Sequence, residues 1–532
     1  MLIGLLLACW GVDTGTTTVE VADYVLNLRP VVPDNQSPFD DLDRLDLVLS
    51  DGTSDPVRIS LDPPGTGGSA AVEKLPALFD TRITVEGYEL GQLVAWGRSN
   101  AVTASTGEVD VPIYVATPGK LGRLGPLEEA TAWASGVALG NGRFAIFGGF
   151  GSRSGGLGEA VASTAVYDLG APNDDLVIDS DAFTVPSYTD ANGETQSTRG
   201  GASLTLLTSG DEKGLYLYAG GGDTEPVRDG TTITPDVRYF DASTLEFSEP
   251  LSSRDALSGA RSMHSALANL DGSVLAWGGW GVTSSRNQVS NLTTGEIYDP
   301  ADKQFRNVSG PSEAGGVASS LADLGDSGTM VCGGIHVDDY DDDDVAEWKL
   351  TDTCFRVTLR GEDAGEIFAG LPKIAAQALV ALPDGDVLSF GGIVSAETIE
   401  FDDTAPATAA VYRYYHGSQT WTQVGTMSLP RANATAVLLD DKTVVVAGGS
   451  DAWGPSASDA QALSCVEVYD TLANTSELVQ DCDEDSDNGG LPNRAERPLA
   501  LFDEELGVLF AGGQDGDNGA EDGASLFLYP PD

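Results

Sequence analysis

The chain has 532 residues, with 82 acidic against 28 basic and a formal charge of −54 at pH 7. A surface of that sign excludes nucleic acid and anionic lipid headgroups as partners, since both need a basic face. With 41% hydrophobic residues the chain is globular and long enough for two domains, and no apolar run is long enough to span a membrane as a helix. The acidity reads first as adaptation to a saline habitat, where salt screens self-repulsion, and second as a capacity for cations or basic ligands.

The chain opens on MLIGLLLACWG. An apolar stretch closed by Leu6-Leu7-Ala8-Cys9 has the form of a secretory signal ending in a lipobox, so residues 1–8 are expected to be a lipoprotein signal peptide and Cys9 the lipidated residue. The departure from that form is the absence of Lys or Arg before Cys9. Residues 9–18 read as a tether. From 19 to 116 the segments LDLVLSD, VRISL, TRITVEG, QLVAWGR and VDVPIYVA alternate with period two. They predict a small antiparallel β-sandwich of immunoglobulin-like or transthyretin-like type.

Beyond residue 117 a glycine pair recurs seven times, each after a short apolar run. The first glycines are Gly148, Gly220, Gly278, Gly333, Gly391, Gly448 and Gly512, at spacings of 72, 58, 55, 58, 57 and 64. A recurrence of this size marks a repeat architecture. The third copy shows its content: the alternating stretch ARSMHSALANL, the turn Asp271-Gly272, the apolar SVLAWGGW, then GEIYDP and KQFRNVSG. That is four strands, a to d, joined by turns. One such unit cannot bury both faces alone, so units must stack, and radial stacking leaves only short edges.

The pattern resembles the kelch repeat. The shared residues are the a–b turns Asp271-Gly272 and Asp384-Gly385, the glycine pair, the Tyr-Asp ending strand c (Tyr167-Asp168, Tyr298-Asp299, Tyr469-Asp470) and an aromatic in strand d (Phe247, Phe305, Trp421). The resemblance covers about residues 119–532 and is shared distantly with the propeller domain of galactose oxidase. It implies an all-β chain, with a seven-bladed kelch-like β-propeller over 117–532 behind the sandwich. The last copy ends at SLFLYPPD without a fourth strand, so part of Val111–Leu127 is expected to complete that blade and remove its open edge.

Cysteines other than Cys9 come as two pairs. Cys332 and Cys354 fall in strands b and c of the fourth copy, and Cys465 and Cys482 in strands c and d of the sixth. A c–d hairpin centred on Ala473-Asn474 would set Cys465 directly opposite Cys482. Disulfides Cys332–Cys354 and Cys465–Cys482 are expected in an oxidising compartment. The alternative is four buried thiols, and the absence of CxxC spacing argues against zinc.

Galactose oxidase holds copper through histidines, tyrosines and a cysteine cross-linked to tyrosine. Here His264, His336 and His416 fall at different positions of three copies, so a transition-metal site is not expected. No nucleophile elbow, P-loop or HExxH is present, and no catalytic residue is assigned. Three acidic loops stand out: Val337–Glu347, Asp481–Gly490 and Gln514–Gly523. They read first as solvated surface. Asp338, Asp339, Asp341, Asp483, Asp485 and Asp487 are the candidate cation ligands, with calcium the candidate ion, although the glycine after Asp487 falls one place late and Arg494 stands where a calcium loop carries Glu. The resulting expectation is an exported protein, lipid-anchored to a bacterial outer membrane. It would be a non-enzymatic module binding a protein or glycan through its propeller loops. The alternative is an extracellular carbohydrate-active enzyme, either a galactose-oxidase-like oxidase or a glycan hydrolase.

Overall fold

A computed structural model describes residues 6–7, 17–21, 24–61, 78–153, 156–172, 179–180, 182–189, 195–224, 232–282, 289–337, 347–358, 366–400, 403–454, 460–479, 491, 493–515 and 519–531. These are nearly all strands and turns; a single 3-10 turn at Gly325–Ser327 is the only helical element among them. Beyond residue 120 the described strands form seven blades of three or four strands, with smaller sheets of two or three strands beside them. The first strands of the blades are Ser135–Gly140, Ser203–Leu206, Ser265–Ala268, Ser320–Asp323, Ala378–Ala381, Thr435–Leu438 and Leu499–Asp503. Each of these strands touches the next, and the seventh returns to the first, so the innermost strands close a ring. In the third blade, Ser265–Ala268, Val274–Trp277, Thr294–Asp299 and Gln304–Ser309 pair in that order, all antiparallel. Among the described residues the fourth blade has three regular strands, with a bridge between Phe355 and Ile367 at its outer edge.

The glycine pair joins the blades. The first glycine of each copy has φ between 59° and 71°, and the second between 81° and 118°. A Cβ on any of the seven first glycines would fall within 3.0 Å of one backbone carbonyl, that of Arg199, Arg261, Gly316, Ile374, Arg431, Ala495 or Thr131, each in the next blade. In six of the seven copies the second glycine donates its N–H to that same carbonyl, at 2.8–3.0 Å; Gly513 donates to Thr131 and so ties the last blade to the first. The pair is glycine because both the left-handed backbone and the approaching carbonyl exclude a side chain.

A second ring lies two residues further along. Trp133, Gly201, Met263, Ala318, Ala376, Asn433 and Arg497 all have φ between 47° and 64°. The N–H of Gly201 donates to Trp133 O, Met263 to Gly201, Ala376 to Ala318, Asn433 to Ala376 and Arg497 to Asn433, at 2.7–3.2 Å. The left-handed residue cuts the opening strand of a repeat in two. ARSMHSALANL becomes Arg261–Ser262, which pairs with Trp280–Gly281 above, and Ser265–Ala268 within the blade.

Between the rings, the Tyr-Asp signature has separate duties. Tyr167, Tyr298 and Tyr469 are buried, and Tyr298 packs on Phe305 at 5.1 Å. Asp299 accepts from the N–H of Ala301, and Asp470 from those of Leu472 and Ala473, fixing the c–d turns. These backbone bonds hold the Asp470 carboxyl below its usual range.

The segment expected to close the ring does so through Leu121–Arg123, which pairs antiparallel with Ser525–Phe527. Its outer edge is held by Asn35, whose Nδ2 donates to Leu121 O and whose Oδ1 accepts from Arg123 N, each at 2.9 Å.

The N-terminal strands corrected the expected topology. Tyr24–Val31 runs parallel to Gly107–Tyr114, not antiparallel. Gly107–Ala116 is shared between that pairing and the meander of Gln92–Arg98, Leu78–Glu89, Arg44–Ser50 and Val57–Leu61, so these strands lie on one hydrogen-bonded path, with Val102–Ala104 pairing off it to Leu78–Glu89. Leu26, Leu28, Val111 and Ile113 bury against Leu45, Leu47, Ile83 and Val85 in one core. The sheet also begins earlier than residue 19: Leu6-Leu7 pairs with Thr17-Thr18, inside the stretch assigned to signal and tether. Trp96 and Tyr114 share a core with Phe144 and Leu526 of the ring, and Arg82 pairs with Glu505.

The interlock is tested by Gly512→Ala against Gly91→Ala. Both have positive φ, but a Cβ at Gly91 meets nothing within 4 Å. Gly91→Ala is expected to cost about 1 kcal/mol for its backbone alone. Gly512→Ala is expected to cost about 3 kcal/mol or more in denaturant unfolding, because the carbonyl of Thr131 must also move. Equal losses would show that the carbonyl contact is unimportant.

Candidate functional site

Several of the residues singled out from sequence lie outside the described residues. These are Cys9, Cys482 and the candidate cation ligands Asp338, Asp339, Asp341, Asp483, Asp485 and Asp487. In the third acidic loop, Gln514-Asp515 pairs with Gly519-Ala520. Burial pushes Glu521 up to about 7, with Asp515 and Asp522 adding to the effect.

Cys332 and Cys354 are direct cross-strand partners joined by a disulfide, with Cα atoms 4.1 Å apart. The spacing falls just under the usual range of roughly 4.4–6.8 Å. Cys465 is disulfide-bonded. Its hairpin, however, pairs Asp470 with Thr475 and Glu467 with Leu478. That register is two residues away from the one that would set Cys465 opposite Cys482. The cause is a four-residue turn, Thr471–Asn474, with Asn474 at φ 56°.

The histidines occupy three settings. His264 is buried below the third-blade turn with Nε2 bonded to Ser203 Oγ at 2.8 Å, and burial followed by the nearby Arg261 holds it down to about 3. It is therefore neutral and structural. His336 lies on the b–c hairpin of the fourth blade, and His416 in the c–d turn of the fifth, where its N–H donates to Asp386. Among the described residues, no group of three or more His, Cys, Asp or Glu side chains is placed to hold a metal.

Three buried arginines were not singled out from the sequence. Arg199, Arg261 and Arg431 occupy the same position in their blades, two residues before the left-handed ring. Arg261 donates to Gly278 O and pairs with Glu296 at 3.0 Å; Arg431 donates to Gly448 O and pairs with Glu467 at 2.6 Å; Arg199 pairs with Asp236. Each ties the opening of its blade to a carboxylate in or just before strand c, so these charges are spent on packing. The signal was present as an Arg before strand a matched by an acid near GEIYD or CVEVYD.

The inner strands surround an axial cavity of about 440 Å³. Its walls are mostly Ala, Ser and Leu. The hydroxyls of Ser265, Ser320 and Thr435 donate to carbonyls of the neighbouring blade. At the mouth, where blades six, seven and one meet, the polar groups form a chain. Asn433 Nδ2 donates to Glu496 Oε2 at 3.2 Å, Arg497 Nε donates to Asn433 Oδ1 at 2.7 Å, and the Arg497 guanidinium lies 4.2 Å from the centre of the Trp133 ring. Burial pushes Glu496 up to about 7, against hydrogen bonds from Ser450 and Asn433 and the charge of Arg497.

A carboxyl raised in the fold is stabilising in its protonated form, and that stability is lost as pH rises through about 7. Glu496→Gln is therefore expected to gain stability over the parent between pH 5 and pH 8, by roughly 1–3 kcal/mol, read from urea midpoints at both values. Glu521 titrates in the same window but is common to both chains. A difference independent of pH would contradict the assignment.

Residues 430–482, which span the sixth blade, match the kelch motif. No curated protein matches the chain. The solved structure of YjhT superposes with a TM-score of 0.42 and 12% identity, over 67% of this chain and 99% of that one. The kelch match falls on the copy that carries the glycine pair Gly448-Gly449 and the Tyr469-Asp470 ending.

Proposed function

We propose that this protein is a non-enzymatic binding module that presents the b–c loop face of its propeller to a protein or glycan. Kelch repeats generally mediate protein interaction. The observation that carries the reading is an open cleft of about 960 Å³ between the first and second blades on that face, lined by Glu129, Arg153, Glu159, Thr198 and Thr224. Glu129, Arg153 and Glu159 are exposed. The repeated residues are committed to packing: glycines to the interlock, arginines to buried ion pairs, Tyr-Asp to turns. Variation is left to the loops, where recognition is usually carried. The scattered histidines favour binding over redox chemistry.

The test is binding of the purified chain to a panel of envelope proteins and glycans. Arg153→Glu with Glu159→Lys is expected to weaken saturable binding, about 10-fold or more for a charge-assisted contact. Leu472→Asp, at an exposed c–d turn on the opposite face, should leave it unchanged. Stoichiometric copper with peroxide production from sugars, or glycan hydrolysis, would overturn the reading.

The same proposal places the protein outside the cytoplasm, anchored through Cys9 to a bacterial outer membrane. The Cys332–Cys354 disulfide supports an oxidising compartment. The mature N-terminal peptide should begin at Cys9 and carry acyl mass; an unmodified peptide retaining residues 1–8 would remove the anchor.

A further inference from the structure

We propose that the mouth of the axial cavity is a binding site for a small organic carboxylate, held end-on by Arg497. The inference begins with a displaced arginine. In the sixth blade the sequence LPRANAT puts Arg431 at the packing position and Asn433 in the left-handed ring. In the seventh, NRAERPL puts Ala495 at the packing position and Arg497 in the ring. An arginine two residues further along no longer points into its blade. It lines the axial cavity instead.

Its pairing also differs. Arg199, Arg261 and Arg431 each meet a carboxylate of their own blade. Arg497 forms no ion pair within 4 Å among the described residues. Its Nε is taken by Asn433 and one face by Trp133. The neighbouring Glu496 turns its carboxyl toward Asn433 Nδ2, on the far side of the same amide. The two terminal nitrogens are left, side by side and without an acceptor among the described residues. Arg497 is half-buried, so a bidentate partner there would be only partly screened by water, and burial, opposed by the charge of Glu496, lowers its pKa to about 10.

The shape of what remains selects the ligand. Two parallel N–H groups match the two oxygens of a carboxylate. The walls carry Ala378, Leu379 and Leu499 beside Ser265, Ser320 and Thr435, whose hydroxyls are already donated to backbone carbonyls, which suits a short hydrocarbon body better than a hydrated inorganic ion. The volume of about 440 Å³ lies within the range of small-molecule sites. The chain's charge of −54 repels anions from its general surface, so a carboxylate that does bind reports a specific site.

The experiment is calorimetry on the full chain at pH 7 and constant ionic strength. The probes are acetate, butanoate and hexanoate, with butanamide, chloride and sulfate as comparisons. Saturable one-to-one binding of the carboxylates is expected, with butanamide, chloride and sulfate at least about 10-fold weaker. Arg497→Gln should lose the carboxylates by a similar factor, while Arg153→Glu with Glu159→Lys should not, which separates this site from the loop face. Should Arg497→Gln fail to fold, Ala378→Leu, which narrows the cavity below the arginine, should weaken hexanoate more than acetate. The proposal is overturned by the absence of binding, by butanamide or inorganic anions binding as tightly as butanoate, by unchanged affinity in Arg497→Gln, or by an equal effect of Ala378→Leu on all chain lengths.

Discussion

One carbonyl per blade, received into the glycine pair of the blade before it, holds this ring together. The contact is short, made entirely of backbone, and repeated until Gly513 meets Thr131 and the circle closes. Because it uses no side chain, it leaves the neighbouring positions free to differ. The next blade supplies Arg at that position three times and Thr, Gly, Ile and Ala in the others, with the same geometry. Close approach also explains why strands either side of the pair are apolar on both faces: they are covered by the blades before and after.

A ring assembled this way has one vulnerable place, the seam where the chain's end meets its beginning. Three devices converge there. Leu121–Arg123 supplies the missing outer strand of the seventh blade, Asn35 covers that strand's free edge, and Trp96 and Tyr114 extend the ring's core into the N-terminal sheet. An exposed strand edge is a template for unwanted pairing, and here the N-terminal domain caps it. The Arg497–Trp133 stack spans the same seam at the channel mouth.

The charge of the molecule is arranged on two levels. The excess of acid lies in surface positions and loops, while the buried cations are few and mostly paired. Asp and Glu at the channel end of blade seven already strain this arrangement: Glu496 and Glu521 both sit near 7 because burial resists their ionisation. Against that background Arg497, which lines the cavity with no carboxylate within ion-pair distance among the described residues, stands apart from the three arginines that serve as blade ties.

What the amino-acid sequence determined by itself was whatever repeats. The seven glycine pairs, the four-strand grammar, the Tyr-Asp endings and the missing last strand were legible, because each reflects a local demand, such as a turn, an apolar strand or an unpaired edge, that recurs in every copy. The two cysteines of the fourth blade were legible for the same reason, as neighbours across a regular b–c pair. What only the tertiary structure decided were contacts between copies and between distant strands. The left-handed residue that splits each opening strand looks like ordinary alternation, since a residue such as Ala376 takes that backbone where the next blade's amide, that of Asn433, reaches its carbonyl. The parallel pairing of Tyr24–Val31 with Gly107–Tyr114 joins segments some eighty residues apart, and strand alternation is the same in either direction. The register at Cys465 turned on whether a hairpin used two or four turn residues. The channel-mouth chain of Glu496, Asn433, Arg497 and Trp133 draws on three blades, and no spacing along the chain records a meeting that exists only once the ring has closed.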